Sequence, residues 1–268
     1  MSKSTGSYYT PEKLSAFIWD HTFKTFQEPL RQVRILEPSC GDGIFLKVAS
    51  EYKTDKTYYI DAIDINKEAL TQAQASIIKS NGHIKFNFIE DDFLKCKLPF
   101  KYDLILGNPP YIGKQLLSEE QRAQCRDIHI EGGLDGKNVR NIWPAFLIKA
   151  ASLLNENGMM AFVLPNELLQ TKYAEKIQSF LKEHFKFIQI LTFQQSVFTE
   201  ITQDVVIMFA YKYSDFSGVS FAEVQNLKSL NLSINFSRRI SNVTNEDIKW
   251  SNFNLTDKDL EYLLNLFN

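Results

Sequence analysis

Short apolar runs alternate with amphipathic stretches from residue 33 to residue 212, and this alternation leaves the chain few architectures to adopt. Residues 33–37 read as a short buried strand, followed by Gly41, Gly43 and a helix-like run over 45–52. Residues 57–64 predict a second strand, and residues 66–80 a helix with apolar positions at helical spacing. Two more strands are expected at 84–90 and 102–107. Residues 141–154 carry a helical period that ends at the Asn-Glu-Asn-Gly of 155–158. A buried strand follows at 159–165, an amphipathic helix at 172–184, and strands at 185–193 and 204–212 with no helix between them. Alternating strands and helices over this length imply a doubly wound α/β fold: a mostly parallel, seven-stranded sheet covered on both faces. The last two strands are close in sequence, so they are expected to pair antiparallel.

Two regions break the pattern. Residues 112–139 read as one long connection containing Gly132, Gly133 and Gly136, and connections of that length are usually functional or mobile. After residue 213 Asn and Ser become frequent and the alternation fades, until an apolar helix-like stretch at 257–268. The expected division is therefore a catalytic unit over 1–213 and an extension over 214–268. The 268 residues carry a formal net charge of −2, so any binding of a polyanion must come from a local patch. The three cysteines form no CxxC pair and the four histidines are scattered, which argues against a zinc site or a histidine-based catalytic centre. No apolar run is long enough to span a bilayer, and the N-terminus has no basic-then-apolar leader. A soluble, cytoplasmic protein with no metal and no membrane partner is expected.

Three strand ends carry candidate ligand-binding residues. Glu37-Pro38-Ser39-Cys40-Gly41-Asp42-Gly43 occupies a strand-to-helix turn, where glycines let backbone approach a ligand closely. An acidic residue at that turn repels phosphate and suits a cationic or hydroxyl-rich ligand, and the GxGxxG spacing is absent. An ordinary tight turn is the alternative. Asp64, followed by Ile65, ends the second strand, where a carboxylate typically binds ribose hydroxyls; a helix cap is the alternative. Asp92-Phe93 follows the third strand and suits an adenine, by acceptance from its amino group and by packing on its ring. A capped turn with a core Phe fits the same two residues.

The sharpest signal is Asn108-Pro109-Pro110-Tyr111, directly after the fourth strand. The prolines stiffen the backbone and remove two donors. The amide oxygen of Asn108 and the carbonyl of Pro109 are then free as acceptors beside the flat face of Tyr111. Such a site suits a planar substrate with an exocyclic NH2 group. Accepting both its hydrogens draws the nitrogen lone pair out of ring conjugation and makes the nitrogen a better nucleophile.

With these residues in view, the chain resembles the gamma-class adenine-specific DNA methyltransferases of restriction-modification systems, over roughly residues 6–211. Gly6-Ser7-Tyr8-Tyr9-Thr10-Pro11 is similar to the cofactor-binding motif that precedes the first strand in that class. Glu37 to Gly43 resembles the S-adenosylmethionine loop, Asp64 the ribose-binding position, Asp92-Phe93 the adenine-binding pair and Asn108 to Tyr111 the catalytic tetrapeptide. The resemblance implies a Rossmann-like methyltransferase fold, S-adenosyl-L-methionine as cofactor and DNA as partner. It also implies methyl transfer to the 6-amino group of an adenine turned out of the duplex. Tyr9, Thr10, Pro11, Glu37, Pro38, Ser39, Gly41, Gly43, Asp64, Ile65, Asp92, Phe93 and Asn108 would bind the cofactor. Tyr111 and Phe198 would stack on the target base.

The chain departs from the class in one respect. Too few residues follow the last expected strand for a typical target-recognition domain, which implies a truncated chain or a separate specificity domain or subunit. Lys137 and Arg140 read as solvated loop residues, with phosphate contact as the alternative. Other readings share the tetrapeptide: a glutamine-amide methyltransferase acting on release factors, or an RNA guanine amino-methyltransferase. A non-catalytic DNA- or partner-binding subunit is a further alternative.

Overall fold

A computed structural model describes residues 10–25, 32–54, 56–77, 82–197, 204–231, 233–236, 238–240 and 250. Its strands are β1 (Gln32–Glu37), β2 (Thr57–Asp64), β3 (Ile84–Glu90), β4 (Tyr102–Gly107), β5 (Leu154–Pro165), β6 (Phe187–Phe193), β7 (Val205–Tyr211), β8 (Gly218–Val224) and β9 (Arg238–Ile240). Among the described residues they form one sheet in the order β3-β2-β1-β4-β5-β7-β6-β8-β9. The helices are α1 (Glu12–Thr25), α2 (Ile44–Glu51), α3 (Lys67–Ser76), α4 (Glu119–Glu131), α5 (Trp143–Leu153), α6 (Glu167–Gln170) and α7 (Ala174–His184).

The first five strands are parallel, as the alternation predicts. β4 lies between β1 and β5, and all six of its residues are buried, as expected of an apolar strand covered on both faces. β7 is inserted antiparallel between β5 and β6, with Met160 opposite Ala210 and Ile188 opposite Ala210. Its unbroken run of Val, Ile, Met, Phe, Ala and Tyr is buried throughout, the pattern of a strand enclosed on every side.

The sheet has two strands more than the seven expected. β8 runs parallel to β6 and β9 antiparallel to β8, so the sheet continues past residue 213. Ser220 interrupts the apolar pattern of β8. It is fully buried, and its hydroxyl donates to the Phe236 carbonyl, so a polar residue sits where hydropathy suggests a surface. The helix-like stretch at 257–268 lies outside the described residues.

The expected long connection at 112–139 is largely helical. α4 begins with a capping box, in which Ser118 Oγ accepts from Gln121 N and Gln121 Oε1 accepts from Ser118 N. Glu119 and Glu120 in its first turn add favourable charge at the helix N-terminus. The start of β5 also differs from expectation. The strand begins at Leu154 and bulges across the Asn-Glu-Asn-Gly segment before pairing Leu104 with Met159.

The helix α1 was not anticipated. It packs on α2, where Trp19 Nε1 donates to the Phe45 carbonyl at 2.8 Å, and on β7, where the Phe17 and His21 rings meet Phe209.

Gly43 lies at the crossing of α2 and α3. Its φ is +83°, and a Cβ there would fall 2.6 Å from Ala73 Cβ. Backbone strain and overpacking together predict that Gly43→Ala costs about 2–5 kcal/mol. The expected fall in Tm is about 5–15 °C by calorimetry, and an unchanged Tm would show that the two helices can separate freely.

Candidate active site

Parallel strands bring their carboxyl ends to one edge of the sheet, where open α/β folds bind ligands. The loops after β1, β2, β3 and β4 line a cavity there of about 370 Å3, closed on one side by Ile142 and Phe146 of the α5 entry and by Gln121 of α4. That volume is ordinary for a small-molecule site, about 300–1,000 Å3.

Glu37 ends β1 and is 1% exposed. Its Oε2 has no hydrogen-bond partner among the described residues. Burial, followed by the charges of Asp64 and Asp42, pushes its carboxyl well above the ordinary carboxylate range. A buried acceptor without a donor, on a cavity wall, is the complement of a cationic or N–H-bearing ligand. Asp64 acts as a clasp between two loops. Its Oδ2 accepts from Gly41 N at 2.8 Å and its Oδ1 from Asn66 N at 2.9 Å. Gly41 can make that contact because its φ is +53°. Asn66 caps α3 by accepting from Glu68 N and Ala69 N, which fixes the end of the same loop. Between them Ile65 is 68% exposed on the cavity wall, an apolar surface open to a flat ligand.

Asp92 Oδ1 accepts from Leu94 N at 2.9 Å, and Phe93 is buried against Phe146 with ring centroids 5.1 Å apart. Turn cap and core packing are thus both present, and both residues still line the cavity.

Asn108 follows β4 at the cavity wall. Its Nδ2 donates to Thr10 Oγ1 at 3.2 Å, which sets the opposite end of the amide as the acceptor. Ser39 Oγ donates to the Asn108 carbonyl at 3.3 Å, tying the β1 and β4 loops together. Pro110 lines the cavity, whereas Pro109 does not. Tyr111 differs from the expectation of an open stacking face. It is 8% exposed and does not line the cavity. Its hydroxyl lies 2.6 Å from Asn108 Oδ1 and 2.9 Å from the Val163 carbonyl, and donates between them.

Thr10, Glu37, Pro38, Ser39, Gly41, Asp64, Ile65, Asp92, Phe93 and Asn108 therefore share one cavity. Gly43 and Pro11 do not line it. Gly43 serves helix packing, and the Pro11 carbonyl accepts from Leu14 N and Ser15 N in the first turn of α1. Tyr9 and Phe198 lie outside the described residues. Sequence reasoning missed Gln121, Ile142 and Phe146. The Ser118-x-x-Gln121 capping signature could have located α4, but nothing local marks its side chain as a cavity wall. Cys40 adds a further wall residue from the β1–α2 loop. It lines the cavity with its thiol pKa pushed up by burial, then by Glu37 and Asp64, so it remains a neutral thiol rather than a nucleophile. Among the described residues no group of three or more His, Cys, Asp or Glu could hold a metal, and no helix is long and apolar enough to cross a membrane.

A family model described as Eco57I restriction-modification methylase matches residues 13–198. The chain belongs to the Eco57I restriction-modification methylase family. Among the relatives of this family member, it is 27% identical over 229 residues to type II methyltransferase M.HincII of Haemophilus influenzae, covering 84% of this chain and 40% of that protein. It is 25% identical over 213 residues to type II methyltransferase M.BanIII of Aneurinibacillus aneurinilyticus, covering 70% of this chain and 35% of that protein. The chain thus spans 35% to 40% of the length of these two curated relatives. In three dimensions it resembles a Listeria monocytogenes protein assigned to the class I S-adenosylmethionine-dependent methyltransferases. The TM-score is 0.68 at 16% identity, over 85% of this chain and 68% of that one. The fold of the Eco57I-family chain is accordingly the S-adenosylmethionine-dependent methyltransferase fold, as the sequence resemblance implied.

Proposed function

We propose that this chain is the catalytic core of an S-adenosyl-L-methionine-dependent methyltransferase that modifies the 6-amino group of adenine in DNA. The observation that carries the reading is a single cavity. It joins the orphaned, buried Glu37 Oε2 to the Asn108 amide, whose orientation is set by Thr10.

S-adenosyl-L-methionine, when bound, supplies an electrophilic methyl group. Glu37 offers its unpartnered oxygen to the positive charge of that cofactor. Asp64 positions the Gly41 and Asn66 backbones and presents its carboxylate to ribose hydroxyls, while Ile65, Asp92 and Phe93 suit the adenine ring and its amino group. Asn108 Oδ1 accepts one hydrogen of the substrate amine and, on the sequence reading alone, the Pro109 carbonyl accepts the other, which raises the nucleophilicity of the nitrogen. For this to happen, the Tyr111 hydroxyl must release Asn108 Oδ1, and the same movement frees the Tyr111 ring to stack on the incoming base. Stacking of this kind contributes about 1–3 kcal/mol per base. Phe198 is assigned the second aromatic face on the sequence resemblance alone. Most of the acceleration comes from positioning and preorganised dipoles, with no need for a metal. Residues 1–213 carry this chemistry, and β8 and β9 extend the same sheet beyond them. Choice of the target sequence belongs to a specificity element outside this catalytic unit, on a further segment of the polypeptide or on a separate subunit.

The reading is tested by incubating the chain with methyl-labelled cofactor and mixed-sequence duplex DNA, then analysing nucleosides. Label in N6-methyldeoxyadenosine is the expected product. Label instead in a release-factor glutamine or in RNA guanine would replace this reading, and absence of cofactor binding would favour a non-catalytic subunit.

Glu37 sets a pH dependence. Its folded pKa lies above the unfolded one, so the folded state holds the proton longer. Its contribution to stability is therefore present at low pH and is lost as pH rises from the ordinary carboxylate value through the raised one. A bound cation favours the ionised form, so cofactor binding at mildly acidic pH should release a proton. Calorimetry in two buffers of different ionisation enthalpy should detect that release in the native chain and not in Glu37→Gln. Equal proton release in both would assign it to another group.

A further inference from the structure

The segment between Tyr111 and α5 is an excursion closed at its base. Ile142 N donates to the Ile112 carbonyl at 3.0 Å and Lys114 N to the Arg140 carbonyl at 2.8 Å, around an antiparallel bridge between Gly113 and Asn141. On this excursion lies a second concavity of about 400 Å3, and Lys114, Arg122, Arg126 and Lys137 bring four cations to its lining. Gly136 helps to build it. A Cβ at that position would fall 2.5 Å from Arg126 Cγ, so its absence lets the turn carrying Lys137 lie directly on the Arg126 stem.

The acidic residues of the excursion do little to neutralise this face. Glu120 pairs with Lys95 at 2.8 Å, and Asp135 faces Lys176 at 3.9 Å. Asp127 lies 3.5 Å from Arg126 Nε, but only Glu119 joins the cations in the lining. Among the described residues no ion pair involves Lys114, Arg122 or Lys137. This local excess stands out on a chain whose formal net charge is −2. Position matters as much as charge. Lys114 is three residues beyond Tyr111, a reach of at most about 11 Å. One duplex strand carries a phosphate about every 3.4 Å of axis, so the backbone of Lys114, at the edge of the concavity, lies within about three phosphate spacings of the tetrapeptide.

We propose that Lys114, Arg122, Arg126 and Lys137 form the surface by which this chain grips the phosphodiester backbone of duplex DNA beside the target base, without regard to sequence. The inference deepens the reading of the chain as a DNA methyltransferase core and rests on it. The contact supplies affinity and register, while choice of sequence comes from elsewhere.

The test uses the full chain and a fluorescent mixed-sequence duplex, with dissociation constants measured by anisotropy across a salt series. Arg122→Glu with Arg126→Glu should weaken binding by about 30-fold or more at low salt. The slope of log affinity against log salt should fall by about 1 for each phosphate contact removed. Arg122→Lys with Arg126→Lys should stay within a few-fold of the native chain, and cofactor affinity should be unchanged in all variants. Should the reversal variant fail to fold, Arg122→Gln with Lys137→Gln is read in the same assay. A native chain that methylates DNA, paired with folded variants of unchanged affinity and salt slope, overturns the surface alone. A native chain that binds cofactor but transfers no methyl to DNA overturns the underlying reading as well. Tighter binding to tRNA than to the duplex overturns the assignment of the partner.

Discussion

Asn108→Ala is expected to cut methyl transfer by about 10²–10³-fold, the loss typical of removing one preorganised dipole from an active site. Its cofactor affinity should stay within a few-fold of the native chain. The split follows from the geometry. Asn108 Oδ1 faces Tyr111 and its Nδ2 faces Thr10. The cofactor-side contacts, in contrast, come from Glu37 and from the two loops clasped by Asp64. Single-turnover rates at saturating cofactor, set beside calorimetric binding constants, separate the two effects. Turnover retained in Asn108→Ala would mean that another group activates the amine.

The second large effect is expected at Asp64, and on binding rather than on chemistry. Asp64→Ala removes the acceptor of two backbone N–H groups, from Gly41 and Asn66, together with the carboxylate facing the cavity. Losing charged hydrogen bonds from the carboxylate to the cofactor costs about 1.5–3 kcal/mol, which corresponds to a rise in cofactor Kd of about 10- to 160-fold. Asp64→Asn can still accept one of the N–H bonds and should lose less. If Asp64→Ala binds cofactor as tightly as the native chain, neither the clasp nor the ribose contact contributes.

How much of this was legible in the sequence depended on periodicity. β2, β3 and β4 occupy the residues expected, because apolar strands bounded by turn residues announce themselves locally. The four loops after the first four strands follow from that, since parallel strands must deliver their carboxyl ends together. Three features were hidden because their cause is tertiary. Ser220 reads as surface and is buried, since its partner is the Phe236 carbonyl, 16 residues away. Gln121 lies in a stretch that looked like loop, and only the packing of α4 against α5 brings it to the cavity wall. Tyr111 was expected to show its ring. A hydroxyl that can reach both Asn108 Oδ1 and the Val163 carbonyl instead draws the ring inward, a choice that no spacing rule encodes.

The burial of β4 has a consequence for how the molecule opens. A strand paired on both edges and covered on both faces exchanges its amide protons only through large-scale unfolding, whereas a peripheral segment can open by itself. Asn108 is thus moored to a strand of that kind, while the excursion from Lys114 to Arg140 is tied by two backbone hydrogen bonds at its base and packs on the core through one face of α4. Hydrogen–deuterium exchange should therefore label the exposed turns of the excursion long before β4, so that breathing there leaves Asn108 in place.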